Sequence, residues 1–204
     1  MAKIQDVVYK DIPTKAKNMR DQGKNLNKEM RMAYQSVKEM HKSWYGKRYT
    51  ELVKSFNELV PNINEMLKLV VKDIPYALET VANNYSQADS GSKITSVSND
   101  NPTKIESLAL SNDSGMRYVS SEVVESKEKI IKNFENAKNQ MEKFDSIFKT
   151  IKWESEAATV FKQKFTSLKK NIITSFENIK REFKSLMEQA QQDIEKAEKA
   201  NTAN

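Results

Sequence analysis

The stretch that decides the fold is Met40-His41-Lys42-Ser43-Trp44-Tyr45-Gly46-Lys47-Arg48-Tyr49. Upstream of it, apolar or small residues stand at Ile12, Ala16, Met19, Gly23, Leu26, Met30, Ala33, Val37, Met40 and Trp44, an unbroken alternation of four and three. This spacing keeps one face of an α-helix apolar, which is a heptad seam. Downstream the pattern restarts at Tyr49, Leu52, Phe56, Leu59, Ile63, Leu67, Val70, Ile74, Ala77 and Val81. Only the turn at Trp44-Tyr45-Gly46 separates the two runs, and connections this short join antiparallel neighbours. Residues 14–84 are therefore expected to form a helical hairpin. At its tip the Trp44 ring is expected to be buried under the turn, with Gly46 supplying a backbone conformation that a side chain would oppose.

The second half repeats the first. After about Val119 the heptads resume at Val123, Lys127, Ile130, Phe134, Ala137, Met141, Phe144, Phe148 and Ile151, stop at Trp153, and continue at Ala158, Phe161, Phe165, Leu168, Ile172, Phe176, Ile179, Phe183, Leu186 and Ala190. Counted from each Trp, the downstream stripes share the same offsets, so the chain carries an internal repeat displaced by 109 residues. Upstream the register differs, Met40 preceding its Trp by four residues and Ile151 by two. Pro61 and Pro75 interrupt the second helix of the first half, and a kink or break is expected there, with a restart near Asp73-Ile74-Pro75. The domain reading is a hairpin over 1–85, a Ser/Asn/Asp-rich linker over 86–115 and a second hairpin over 116–204. A linker of this composition is expected to be mobile. The seams of two such hairpins, facing one another, give an all-α four-helix bundle built as a pseudo-dimer within one chain.

Composition narrows the chemistry. The chain of 204 residues has no Cys, 4 Gly and 1 His, so neither disulfides nor cysteine metal sites are available, and any His-based metal site or catalytic triad would rest on His41 alone. His41 itself reads as an exposed helix-end residue with no assigned role. No Glu-x-x-His pair suggests a di-iron bundle, and neither glycine-rich phosphate-binding motif occurs. No catalytic, metal or cofactor-binding residue is assigned, and the expectation is a protein that is not an enzyme. Thirty-four Lys and Arg against 28 Asp and Glu leave a net charge of +6. Pairs such as Glu125/Lys129 and Glu177/Arg181 place most of that charge on solvated helix faces. The amino terminus carries Lys3, Asp6, Lys10 and Asp11 and lacks the apolar core of a signal peptide, and no apolar run reaches the length of a membrane span.

Two tryptophans at the same point of a repeated hairpin carry a resemblance. The sequence resembles the WXG family, the early-secreted-antigen-like helical hairpins of about 100 residues exported by bacterial type VII secretion systems. The family pattern is helix, Trp-x-Gly turn, helix and a trailing Tyr-x-x-x-Asp/Glu signal. This chain supplies Trp44-Tyr45-Gly46 and, 41 residues after Trp44, Tyr85-Ser86-Gln87-Ala88-Asp89. The second half departs twice: Ser155 stands for Gly in Trp153-Glu154-Ser155, and Ile194 for Tyr, although Glu198 matches the acidic end. Family hairpins usually dimerise, and this chain looks like a tandem fusion of two.

The resemblance implies a type VII substrate or partner protein, made in the cytoplasm and reaching the cell surface or medium without a cleaved signal peptide. Its partners would be the export ATPase and, as a second candidate, a further WXG-family protein, with no specific nucleic acid. It implies signal roles for Trp44, Gly46, Tyr85, Asp89, Trp153 and Ser155, with Tyr85 and Asp89 beside the Trp153 turn and the Trp44 turn near Ile194 and Glu198. The competing reading is a basic helical bundle acting at nucleic acid or anionic membrane, which requires one face enriched in Lys.

Overall fold

The computed structural model describes residues 8–110 and 114–202. Ser111-Asn112-Asp113 of the expected linker, and the charges Lys3 and Asp6, lie outside them. A 3₁₀ turn at Tyr9–Asp11 leads into α1 (Ile12–Met40), with Pro13 in the first turn, where no intrahelical donor is needed. The two-residue strand β1 (Trp44–Tyr45) precedes α2 (Lys47–Lys68), a π turn (Leu69–Asp73) and α3 (Ile74–Ser90). β2 (Arg117–Tyr118), α4 (Ser120–Lys149) and α5 (Glu156–Thr202) follow. The protein is all-α, and among the described residues the one small sheet is the antiparallel pair Trp44↔Tyr118 and Tyr45↔Arg117.

The seams became the core. Every seam position from Ile12 to Trp44 is buried, as are those from Tyr49 to Ile74, while Ala77, Val81, Lys127 and Phe161 are half-buried at the margins. α1 lies antiparallel along α4: Asn136 donates to Glu29 at 3.2 Å and Lys15 Nζ to the Thr150 carbonyl at 3.0 Å. α2 lies antiparallel along α5, where Arg48 meets Asp193 at 3.0 Å, Ser55 donates to Glu182 at 2.7 Å and Lys164 meets Glu65 at 2.7 Å. Between α4 and α5, Phe134 and Phe176 stack with centroids 3.9 Å apart and Phe144 and Phe165 at 5.1 Å. Across α1 and α2, Tyr34 donates to the Phe56 carbonyl at 2.6 Å and Tyr49 to the Val37 carbonyl at 3.0 Å, so both buried phenols are satisfied.

Three expectations change. The helix does not break at Pro61, which sits on the exposed face of α2 between buried Leu59, Val60 and Ile63. The donor that Pro61 lacks is lost on the outer face of α2, and tertiary packing on the other face overrides the propensity cost. The dislocation comes instead at Leu69–Asp73: Pro75 has no N–H for the Val71 carbonyl, and the chain passes through a π turn before continuing as α3. Gly23 faces that widened turn, and a Cβ there would stand 2.9 Å from the Val70 carbonyl oxygen. The linker is the largest correction. α3 runs on to Ser90 and ends at Gly91 in the left-handed conformation (φ 76°), and the stretch over 94–108 is fastened to the helices, as described next. His41, third, is half-buried beside Tyr45 and Tyr49, with ring centroids at 5.8 and 5.3 Å, rather than exposed.

Candidate functional site

The Trp44 turn is built into the protein on every side. The ring is 1% exposed and meets Tyr118 edge-on at 5.6 Å, Tyr49 at 6.1 Å and Phe183 of α5 at 6.0 Å. Its backbone pairs with β2, and one residue on, Val119 N–H donates to the Ser43 carbonyl at 2.9 Å while the Ser43 hydroxyl donates to Glu122. Gly46 has φ 110°, a region side chains disfavour, and lies against Gly115 and Met116. A small crevice at this end is lined by Trp44, Tyr45, Arg48, Tyr118, Asp193 and Ile194. The Trp44 turn thus stands beside the distal part of α5, close to Ile194, and Glu198 falls in the last turns of the same helix. Burial raises the Tyr118 phenol above its ordinary pKa.

Tyr85 and Asp89 lie at the opposite end, in the last turns of α3, the first half-buried and the second exposed. Asp89 accepts a hydrogen bond from the Tyr9 hydroxyl, and that bond raises the Tyr9 phenol above its ordinary range. Tyr9, Pro13, Ser86, Asp89 and Ile94 surround a shallow hollow of about 470 Å³. The start of α1 joins this corner to the second turn, because Lys15 reaches the Thr150 carbonyl just before Trp153. Trp153 is 6% exposed with its ring 6.2 Å from Phe161. Ser155 differs from the glycine of the pattern for a local reason: its hydroxyl accepts from Ala158 N–H at 3.1 Å, an N-cap at the start of α5 that glycine has no side chain to make.

Two features of the site region were not read from the sequence. The first is a row of asparagines that clasps the 94–108 strap. Asn27 donates to the Thr103 carbonyl at 2.7 Å and accepts from Thr103 N–H at 3.0 Å. Asn64 does the same to Ile105 at 2.9 and 2.8 Å, Asn57 to Leu108 at 2.9 and 2.7 Å, and Asn83 to Thr95 at 2.9 and 3.1 Å. Each carboxamide replaces a strand partner, satisfying donor and acceptor of one extended residue. Ile105 is buried at 4% exposure, and Lys24 pairs with Asp100 at 2.7 Å, which holds the Asp100 carboxyl below its usual pKa. The second feature is the buried pair Arg20–Glu79, bidentate at 2.7 and 2.8 Å, with Glu79 also accepting from Ser98 N–H at 2.9 Å. A signal for the first existed: asparagine is a poor residue for helix interiors, and four of them stand mid-helix beside the seams.

Among the described residues no group of three or more His, Asp or Glu is placed to hold a metal ion, and no helix is long and apolar enough to cross a membrane. No family model matches the chain, and neither a curated protein nor a solved structure does.

Proposed function

We propose that this protein is a non-enzymatic interaction protein of a type VII secretion system, a substrate or partner whose two helical hairpins pair within one chain as a four-helix pseudo-dimer. One observation carries the reading: tryptophan turns recur at corresponding points of a 109-residue repeat, and the first hairpin ends in Tyr85-Ser86-Gln87-Ala88-Asp89. The proposed signal end comprises Tyr85 and Asp89 with the Trp153–Ser155 turn, and the Trp44–Gly46 turn is the complementary far end. The exposure of Asp89, in contrast to the burial of both tryptophans, favours the tail as the part an export ATPase reads.

The experiment is secretion from a bacterium with a type VII system, expressing the chain with its export ATPase. Tyr85→Ala and Asp89→Ala should leave the protein folded and retained in the cell, and normal secretion of both removes the tail from the mechanism. Because both indoles are core, the turns are compared with Trp44→Phe and Trp153→Phe rather than with alanine. A larger export defect from Trp153→Phe is expected for pairing within one chain, and the reverse ranking indicates pairing between chains.

A further inference from the structure

A trough of about 1500 Å³ runs between α1, α4 and the strap. Six cations line it, Lys28, Arg31 and Lys38 from α1, Lys104 from the strap, and Lys129 and Lys132 from α4, facing two carboxylates, Glu29 and Glu106. Lys129 is paired with Glu125 at 2.7 Å, and Glu29 is engaged by Asn136. Among the described residues no ion pair holds Lys28, Arg31, Lys38, Lys104 or Lys132. Other cations stand on convex helix faces or reach across helices to acids, as Lys164 does to Glu65 and Arg48 to Asp193, whereas the trough gathers six against two carboxylates on one concave face. The trough also has apolar contact area: Met32 is 44% exposed, Leu110 is 47% exposed, and Leu108 is half-buried beside them.

We infer that this trough is a docking site for an acidic amphipathic helix of a partner protein. From Lys28 to Lys38 the α1 cations span roughly 15 Å, close to three turns of a helix laid alongside. Carboxylates on such a helix would meet the cations on α1, the strap and α4, while its apolar stripe would cover Met32, Leu108 and Leu110. Charge would steer the encounter and the apolar floor would hold the bound helix. A nucleic acid fits less well. The tyrosines of the wall, Tyr34 and Tyr49, are 4% and 3% exposed and offer no face for base stacking. A flat anionic membrane has no convex face to fill the trough, whereas a helix laid along it does. The strap is part of the site: Asn27, Asn64 and Asn57 hold the backbone that presents Lys104 and leads to Leu110. This inference does not depend on the export reading.

The test uses the full chain and a fluorescent amphipathic peptide with leucines on one helical face and glutamates on the others. Fluorescence anisotropy should give micromolar binding that weakens with salt. Lys28→Glu combined with Lys104→Glu should weaken it about tenfold or more, and Met32→Ser with Leu110→Ser by a similar factor. All four positions are exposed, and unchanged thermal melts will show that the variants fold. The proposal is overturned if the charge reversals leave binding unaltered, or if the same peptide with glutamine for glutamate binds as tightly. Tighter, competing binding of a single-stranded oligonucleotide or of phosphatidylserine vesicles also overturns it.

Discussion

Replacing Arg20 by Met is the sharpest test of how the first half is held together. The guanidinium is 7% exposed and the Glu79 carboxylate 5%, and they meet through two short hydrogen bonds. Without Arg20 the carboxylate stays buried with Ser98 N–H at 2.9 Å as its remaining partner in this set. Breaking one side of a buried pair costs about 3 to 5 kcal/mol, because an uncompensated charge is left behind. For a chain of this length that corresponds to a fall in melting temperature of roughly 6 to 20 °C. The double variant Arg20→Met/Glu79→Leu removes both charges and fills similar volume, leaving chiefly the Ser98 N–H unpaired at about 1 to 3 kcal/mol. Circular-dichroism melts and urea titrations at neutral pH should therefore place the double variant above the single one in stability. If the double variant is as unstable as Arg20→Met, or less stable, the pair is not the source of the cost and the reasoning fails.

Replacing Asn64 by Ala should free both backbone groups of Ile105, and hydrogen exchange should show lost protection of the Ile105 amide with little change in α1 or α4. Gly23→Ala should destabilise despite alanine's better helix propensity, by about 1 to 3 kcal/mol, because its Cβ overpacks the Val70 carbonyl; a more stable variant in a urea titration refutes the close approach. Burial raises the Tyr34 phenol far above its ordinary pKa, so the folded state keeps that proton longer than the unfolded state does. The linked stability is fully present below about pH 10 and is lost as pH rises through the alkaline range. Tyr34→Phe should make unfolding less steep above that pH while costing about 0.5 to 1.5 kcal/mol at neutral pH, where the Phe56 carbonyl loses its second donor but stays within the α2 hydrogen-bond ladder. Sedimentation at low concentration should give one chain, and a tight dimer would refute pairing within the chain.

Periodicity made the helices legible, since the four-three alternation is a direct projection of 3.6 residues per turn onto one buried face. That is why Ile12 through Trp44 could be assigned to the core from spacing alone. The strap was not legible in the same way. Eight of its 15 residues over 94–108 are Ser, Asn, Asp or Thr, a composition that describes a mobile linker, and what fixes them is distant in sequence: Asn27 grips Thr103 across 76 positions. Composition is a local property and docking is not. Arg20 and Glu79 were hidden for a related reason, because each reads as an ordinary charged helix residue until the two helices are set side by side. Of the candidate signal residues, the burial of Trp44 was readable from its place at the tip, whereas the contact of Asp89 with Tyr9 depends on a 3₁₀ turn with no periodic signature.

The two halves share a repeat but not a burden, and the asymmetry has a physical origin. In the second half α5 is one helix of 47 residues and α4 is apolar chiefly along its seam. In the first half the path from Lys47 to Ser90 is interrupted by the π turn, and α1 carries Arg20, Gly23 and Asn27 on one stretch, each committed to a different neighbour. Those three residues serve Glu79, the π turn and the strap, none of which has a counterpart in the contacts of the second half described above. The strap therefore does more than join repeats: clasped through Asn27, Asn57, Asn64 and Asn83, it adds a layer to the first half and one wall to the basic trough. A second hairpin coupled by a plain flexible tether would pack its seam equally well. Only the fastened strap brings Lys104 and Leu110 to α1, so loss of the Asn57 and Asn64 clasps should weaken acidic-peptide binding while the tryptophan fluorescence of the folded core, from Trp44 and Trp153, stays unchanged.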